Sequence, residues 1–93
     1  MSDFDARFEA LRRRFVERCS GDLAVLEKAQ SEGVEAEVLR AAVHRLSGAA
    51  GTFGYPELSR LAGAVDDQLI VSGRAPEAMV QELTAAVRVL TRT

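Results

Sequence analysis

The 93-residue chain has no tryptophan, one tyrosine, one histidine, one cysteine and only two prolines. A lone thiol, Cys19, rules out an internal disulfide framework and fits a reducing compartment such as the cytoplasm. Near a helix end it reads as a small apolar packing residue. No apolar run approaches the ~18 residues of a membrane span. The N-terminal MSDFDARF is acidic and lacks the basic start and apolar stretch of a signal peptide. No charge of one sign dominates either. Twelve basic against fourteen acidic residues leave a net charge of −2, without the concentrated basic patch that nucleic-acid binding requires. Arg12, Arg13 and Arg14 form the one tight basic run and read as the solvated face of a helix. There is neither a G-x-G-x-x-G pattern nor a phosphate-loop lysine. With no second histidine, and with Asp66 and Asp67 not visibly brought to the first, no metal site is implied.

What the chain does have is helical periodicity. It is 47% hydrophobic and 28% charged, ordinary for a globular domain. Strand-like alternation is nearly absent. Phe4, Phe8, Leu11, Phe15 and Cys19 share one stripe, with Ser2 and Asp5 spaced as a capping box ahead of it. Ser20-Gly21 is expected to interrupt this helix, and a short second one should run from about Asp22 to Gln30, ending near Gly33. A third helix is expected over 35–53, closed by Gly54. Pro56 starts a fourth, lined by Leu58, Leu61, Ala62, Val65 and Leu69 and ended by Gly73. Pro76 opens a fifth, lined by Met79 or Val80, Leu83, Val87 and Leu90. The short connections imply antiparallel neighbours. The expected architecture is all-α: one domain over residues 1–93, an antiparallel four-helix bundle with a short accessory N-terminal helix. The apolar stripes can all be spent inside one copy, so a monomer is expected.

The helix over 35–53 has two faces. At about 100° per residue, Leu39, Ala42, Leu46, Ala49, Ala50 and Phe53 cluster within an arc of roughly 100° as the core stripe. His44 falls almost opposite their centre. Arg40, Ser47, Gly48 and Gly51 surround it at spacings of three, four and seven, so its downstream neighbours are small. Each glycine inside a helix costs about 0.5–1 kcal/mol relative to alanine. That is a noticeable part of the roughly 5–10 kcal/mol that holds such a domain folded. Gly51 fits either a close helix crossing or early fraying toward Gly54. A side chain at Gly48 would lean back toward the imidazole, so its absence opens access to the ring. Val43 and Leu46 read as core. Ala41, His44, Gly48 and Tyr55 outline an exposed edge where a partner can dock, with Tyr55 equally suited to anchoring the turn. Ser47 beside His44, with no orienting acid or oxyanion donors in view, is weak ground for hydrolysis.

The segment AVHRLSGAAGTFGYPELSRLAGAVD, residues 42–66, resembles the signature of histidine-containing phosphotransfer (Hpt) domains of multistep two-component signalling. The matching positions are His44, the hydrophobic Leu46, Gly48, Phe53 and Gly54. Leu58, Leu61, Ala62, Val65 and Asp66 echo the spaced leucines and acidic residue of the next helix. Ser47 stands where the family usually has lysine. The resemblance implies that His44 is a phosphoryl acceptor and donor, reacting at Nε2 with an aspartyl phosphate of a response-regulator receiver domain. A neutral imidazole, of reference pKa about 6.5, offers the nucleophile near neutral pH. The resemblance also implies that magnesium sits on the receiver and that this chain holds no cofactor. A sensor or hybrid histidine kinase is the expected phosphate source, since nothing here suggests an autonomous ATP-dependent kinase. Three residues are candidates to replace the lysine: Arg40 through charge, Arg45 by reaching across the helix edge, and Ser47 through a hydrogen bond to a phosphoryl oxygen. The alternatives are a noncatalytic receiver-binding or inhibitory module and a structural helical adaptor.

Overall fold

The structure, a computed structural model, describes residues 2–92. Four helices follow one another: α1 (Asp3–Ser31), α2 (Ala36–Thr52), α3 (Pro56–Ser72) and α4 (Glu77–Thr91). No strand occurs among the described residues. Each helix packs on two neighbours, α1 on α2 and α4, and α3 on α2 and α4, with the α2–α3 contact the most extensive. The result is the expected all-α, antiparallel four-helix bundle. Its core is aliphatic: Leu26, Val43, Leu46, Val65, Leu83 and Val87 are all at most 1% exposed. Thr84 joins them because its hydroxyl donates to the Val80 carbonyl one turn back, leaving no unpaired polar group.

Helix ends follow local chemistry. Ser2 caps α1, its Oγ accepting the Asp5 amide at 3.2 Å. Pro56 occupies the first turn of α3, where its missing amide hydrogen costs nothing. The end of α2 has two parts. The Tyr55 amide donates to the Ala50 carbonyl at 2.8 Å, the long bond of a Schellman turn, and Gly54 between them takes φ +88°. A residue with a β-carbon would be strained there.

The segment from Asp22 to Gln30 is helical as expected, but the break before it is absent. Ser20 and Gly21 lie inside the 29-residue α1. Magnitudes explain the continuity. A mid-helix glycine costs about 0.5–1 kcal/mol, whereas burying one leucine side chain contributes about 1.5–3 kcal/mol. Cys19 and Leu26, one on each side of the glycine, are both fully buried and need the same helix phase. Packing therefore overrides propensity. The N-terminal stripe also departs from expectation. Phe15 is core, Phe8 is half-buried against Phe53 with ring centroids 5.5 Å apart, but Phe4 is 74% exposed. At 1.5 Å per residue α1 is ~43 Å long and α2–α4 are each roughly 25 Å or less. Only α1 spans the 45 Å long axis of the molecule, so its first turns have little beside them.

Gly21 is exposed, has no positive φ, and an added β-carbon would meet nothing within 4 Å. Gly21→Ala should therefore stabilise the fold by about 0.5–1 kcal/mol, measured by urea denaturation. A loss of stability would show that the helix needs to bend there.

Candidate functional site

His44 sits in the middle of α2 with its side chain 71% exposed, on the face turned away from Leu46 and Ala50. The ring is nevertheless fixed. Its Nδ1 lies 2.8 Å from Oδ2 of Asp66 on α3, a carboxylate whose side chain is only 10% exposed. A carboxylate accepts hydrogen bonds, so this contact favours the tautomer with the proton on Nδ1. Nε2 is then left with a free lone pair at the exposed end of the ring. The other oxygen, Oδ1, makes no hydrogen bond. Arg40 Nε stands 3.4 Å from it, close enough for an ion pair but without hydrogen-bond geometry.

The contact depends on how closely α2 and α3 approach. Ser47 Oγ donates to the Ser59 carbonyl at 3.1 Å, and Ser59 Oγ returns a bond to the Ser47 carbonyl at 2.8 Å. This reciprocal clasp lies about one turn from His44. Small residues permit it: a β-carbon on Gly51 would come to 3.4 Å from Ser59 Oγ, and one on Gly63 to 3.3 Å from Ser47 Oγ. Gly48 is different. It is exposed, and a β-carbon there would meet nothing within 4 Å. Packing is thus tight at Gly63, would meet a β-carbon on Gly51 at ordinary contact distance, and offers no reason for Gly48, whose one evident effect is a bare surface one turn from the imidazole.

Beyond this local geometry, the family model of the Hpt domain matches residues 10–92. The chain belongs to the Hpt domain family. Membership supports a phosphorelay role, and receiver domains are the generic partners of such domains. It is also consistent with phosphotransfer that does not use ATP directly. No curated protein and no solved structure gives a significant match. No helix among the described residues is long and apolar enough to cross a membrane.

The remaining candidate residues of this Hpt domain divide between the site and the scaffold. Arg40 is brought to the His44–Asp66 pair, about half exposed. Arg45 reaches the other way, its guanidinium 2.9 Å from Asp22 on α1, a carboxylate 5% exposed. The hydroxyl proton of Ser47 is engaged by Ser59. Tyr55 packs on Phe15, centroids 5.7 Å apart, and accepts a 2.7 Å hydrogen bond from Arg12. It is an anchor of the α2–α3 turn. Arg12 is accordingly not a solvated residue like Arg13 and Arg14: it bridges Tyr55 and Glu9. Those hydrogen bonds hold the Glu9 carboxyl below its usual value and raise Arg12 further. Val43 and Leu46 are core, whereas Ala41 is exposed on the same side as Gly48. Cys19 is sealed, and burial, reinforced by the nearby Asp22 charge, pushes its thiol up to about 11.

Asp66 is the residue that sequence reasoning missed as a partner of His44. The signal was its place at the end of the α3 leucine pattern, in a helix antiparallel to α2. Asp66→Ala should release the imidazole into a mixture of Nδ1–H and Nε2–H tautomers, read from the ring 15N shifts of His44. Asp66→Asn, which retains an accepting oxygen, should keep the Nδ1–H form. An unchanged tautomer in Asp66→Ala would remove Asp66 as the positioning residue.

Proposed function

We propose that His44 is a phosphorelay intermediate, accepting a phosphoryl group on Nε2 from the aspartyl phosphate of a response-regulator receiver domain and able to return it. The observation that carries this reading is the paired ring: Nδ1 tied to a nearly buried carboxylate while Nε2 remains in the open. The Nε2 lone pair attacks phosphorus, an N–P bond forms, and the acyl P–O bond breaks to release the receiver carboxylate. The imidazole carries the resulting positive charge, and Asp66, sharing the Nδ1 proton, offsets it. Reversal regenerates the neutral ring with its proton still on Nδ1. Transfer of this kind asks the protein mainly for positioning and charge compensation.

Supporting residues act around that step. Arg40 keeps its Nε near Asp66 and its side chain is about half exposed, so the guanidinium can turn toward the phosphoryl oxygens. This is the charge expected of the lysine that Ser47 replaces. Arg45 supports from behind by pinning α2 to α1, and Ser47 by setting the α2–α3 distance. Gly48 leaves the approach to Nε2 open. The receiver supplies the acidic pocket and magnesium, and a sensor or hybrid kinase upstream charges the relay.

A charged receiver mixed with the chain should pass label to it. His44→Gln should abolish acceptance with the helical fold intact, since no second histidine exists. The label should be acid-labile and relatively base-stable, which separates it from phosphoserine and acyl phosphate. Label persisting on His44→Gln refutes the site. A broad panel of charged receivers that never labels the wild type favours a noncatalytic receiver-binding module. Gly48→Gln should fold at least as well as the wild type, because helix propensity improves, yet transfer more slowly. An unchanged transfer rate in that variant would show that a bulky neighbour does not obstruct the ring.

A further inference from the structure

The line of α3 that faces α2 does not stop at Asp66. Ser59 is bonded to Ser47, Gly63 lies against the same serine, and Asp66 holds His44. Ile70 continues that line, at a spacing of four, three and four, and is 58% exposed. With His44 level with Asp66 on antiparallel helices, Arg40 lies level with Ile70, one turn nearer the start of α2. The uncharged residues otherwise exposed around His44 are small: Ala41, Gly48 and Gly51. Other large apolar side chains left exposed among the described residues stand elsewhere: Phe4 and Leu11 on α1, Val89 on α4, and Val38 where α2 borders Val25 and Lys28 of α1. Val71 is 83% exposed but lies about 100° further round α3, away from α2. The fold gains little from isoleucine at position 70, because a β-branched side chain lowers helix propensity and more than half of its burial is forfeited.

What covers Ile70 follows from where the chemistry occurs. The phosphoryl group reaches Nε2 on an aspartate of a folded receiver, so this step rests on the phosphorelay reading above. A protein contact at the low end of the size range buries about 600 Å² on each partner, a patch of roughly 14 Å radius. Ile70 is about 6 Å along α3 from Asp66, whose carboxylate touches the ring. A receiver seated on His44 therefore covers Ile70 as well. Charge does not dominate this part of the surface, since both signs surround it: Glu37, Asp66 and Asp67 beside Arg40 and Arg74. An apolar side chain ringed by mixed charges matches the dry centre and polar rim of a protein contact. We propose that Ile70 is the apolar anchor of receiver docking, seated against an apolar side chain beside the receiver's acidic pocket. It sets affinity and partner choice without touching the reacting atoms.

Transfer from charged receivers, measured over a series of receiver concentrations, separates docking from chemistry. With receivers that label the wild type, Ile70→Ser should raise the concentration for half-maximal rate by roughly tenfold and leave the maximal rate unchanged. Ile70→Leu, which keeps an apolar side chain of equal volume, should behave as the wild type. Both variants should keep the wild-type circular dichroism. Phosphoramidate, a small donor with no docking surface to match, should label His44 in both at the wild-type rate. Phe4→Ser controls for the loss of any exposed apolar side chain. Phe4 lies about 27 Å along α1 from Asp22, the residue level with Arg45, and so outside such a patch. Its half-maximal concentration should equal that of the wild type. An Ile70→Ser variant of undiminished affinity overturns the proposal, as does an equal loss in Phe4→Ser. Slower phosphoramidate labelling of Ile70→Ser also overturns it, because Ile70 would then support the ring. A wild type labelled by phosphoramidate but by no receiver removes the receiver reading and the anchor together. Receivers that treat Ile70→Ser as wild type remove the anchor alone.

Discussion

A carboxylate held between two helices sets the geometry of everything near it. Asp66 is close to buried, and an uncompensated charge in that position is costly. Its compensation comes from α2: the His44 Nδ1 proton on one oxygen and the Arg40 guanidinium beside the other. The α2–α3 separation is therefore constrained from both directions. Too wide, and Asp66 loses its partners; too narrow, and the Ser47–Ser59 clasp, already close to the backbone at Gly63, is crowded. The exposed ring inherits its orientation from that compromise.

The scaffold pins the other flank of α2 in the same way. Asp22 on α1 is nearly buried and is answered by Arg45, the residue next to His44 in sequence. Two buried acids, one on each neighbouring helix, thus engage consecutive residues of α2. Such pairs add little net stability compared with apolar packing of equal volume, but losing one partner is expensive. They act on α2 as a register device, resisting rotation about its axis. The hydrophobic core beneath, with Val43, Leu46 and Val65 fully enclosed, supplies the stability that the open face does not.

Much of this was legible in the sequence because each signal was local. The faces of α2 followed from the spacing of Leu39, Leu46 and Ala50 against His44, and the boundaries at Ser2, Gly54, Pro56 and Gly73 followed from capping chemistry. The break expected at Ser20-Gly21 failed because propensity is a weak term beside the burial of Cys19 and Leu26. Phe4 kept the core period but lies where only α1 continues, and periodicity carries no information about where neighbouring helices stop. The His44–Asp66 contact could not be derived from spacing alone, since it depends on the relative rotation of two helices. The Ser47–Ser59 clasp was hidden for the same reason: a serine expected to face a ligand was instead spent on the backbone of the adjacent helix.

The site is contained in one helical hairpin. His44, Arg40, Ser47 and Gly48 lie on α2, and Asp66 and Ser59 lie on α3, joined by the turn at Gly54 and Tyr55. His44 and Asp66 are 22 residues apart, so closing the loop between them carries a small entropic cost, and contacts this local favour fast assembly. The reactive geometry can therefore form as soon as α2 and α3 zip together, while the outer helices dock onto a hairpin that already holds its histidine. Excursions that loosen α4 or the outer turns of α1 leave the chemical pair joined, so local fluctuations at the periphery are insulated from the nucleophile.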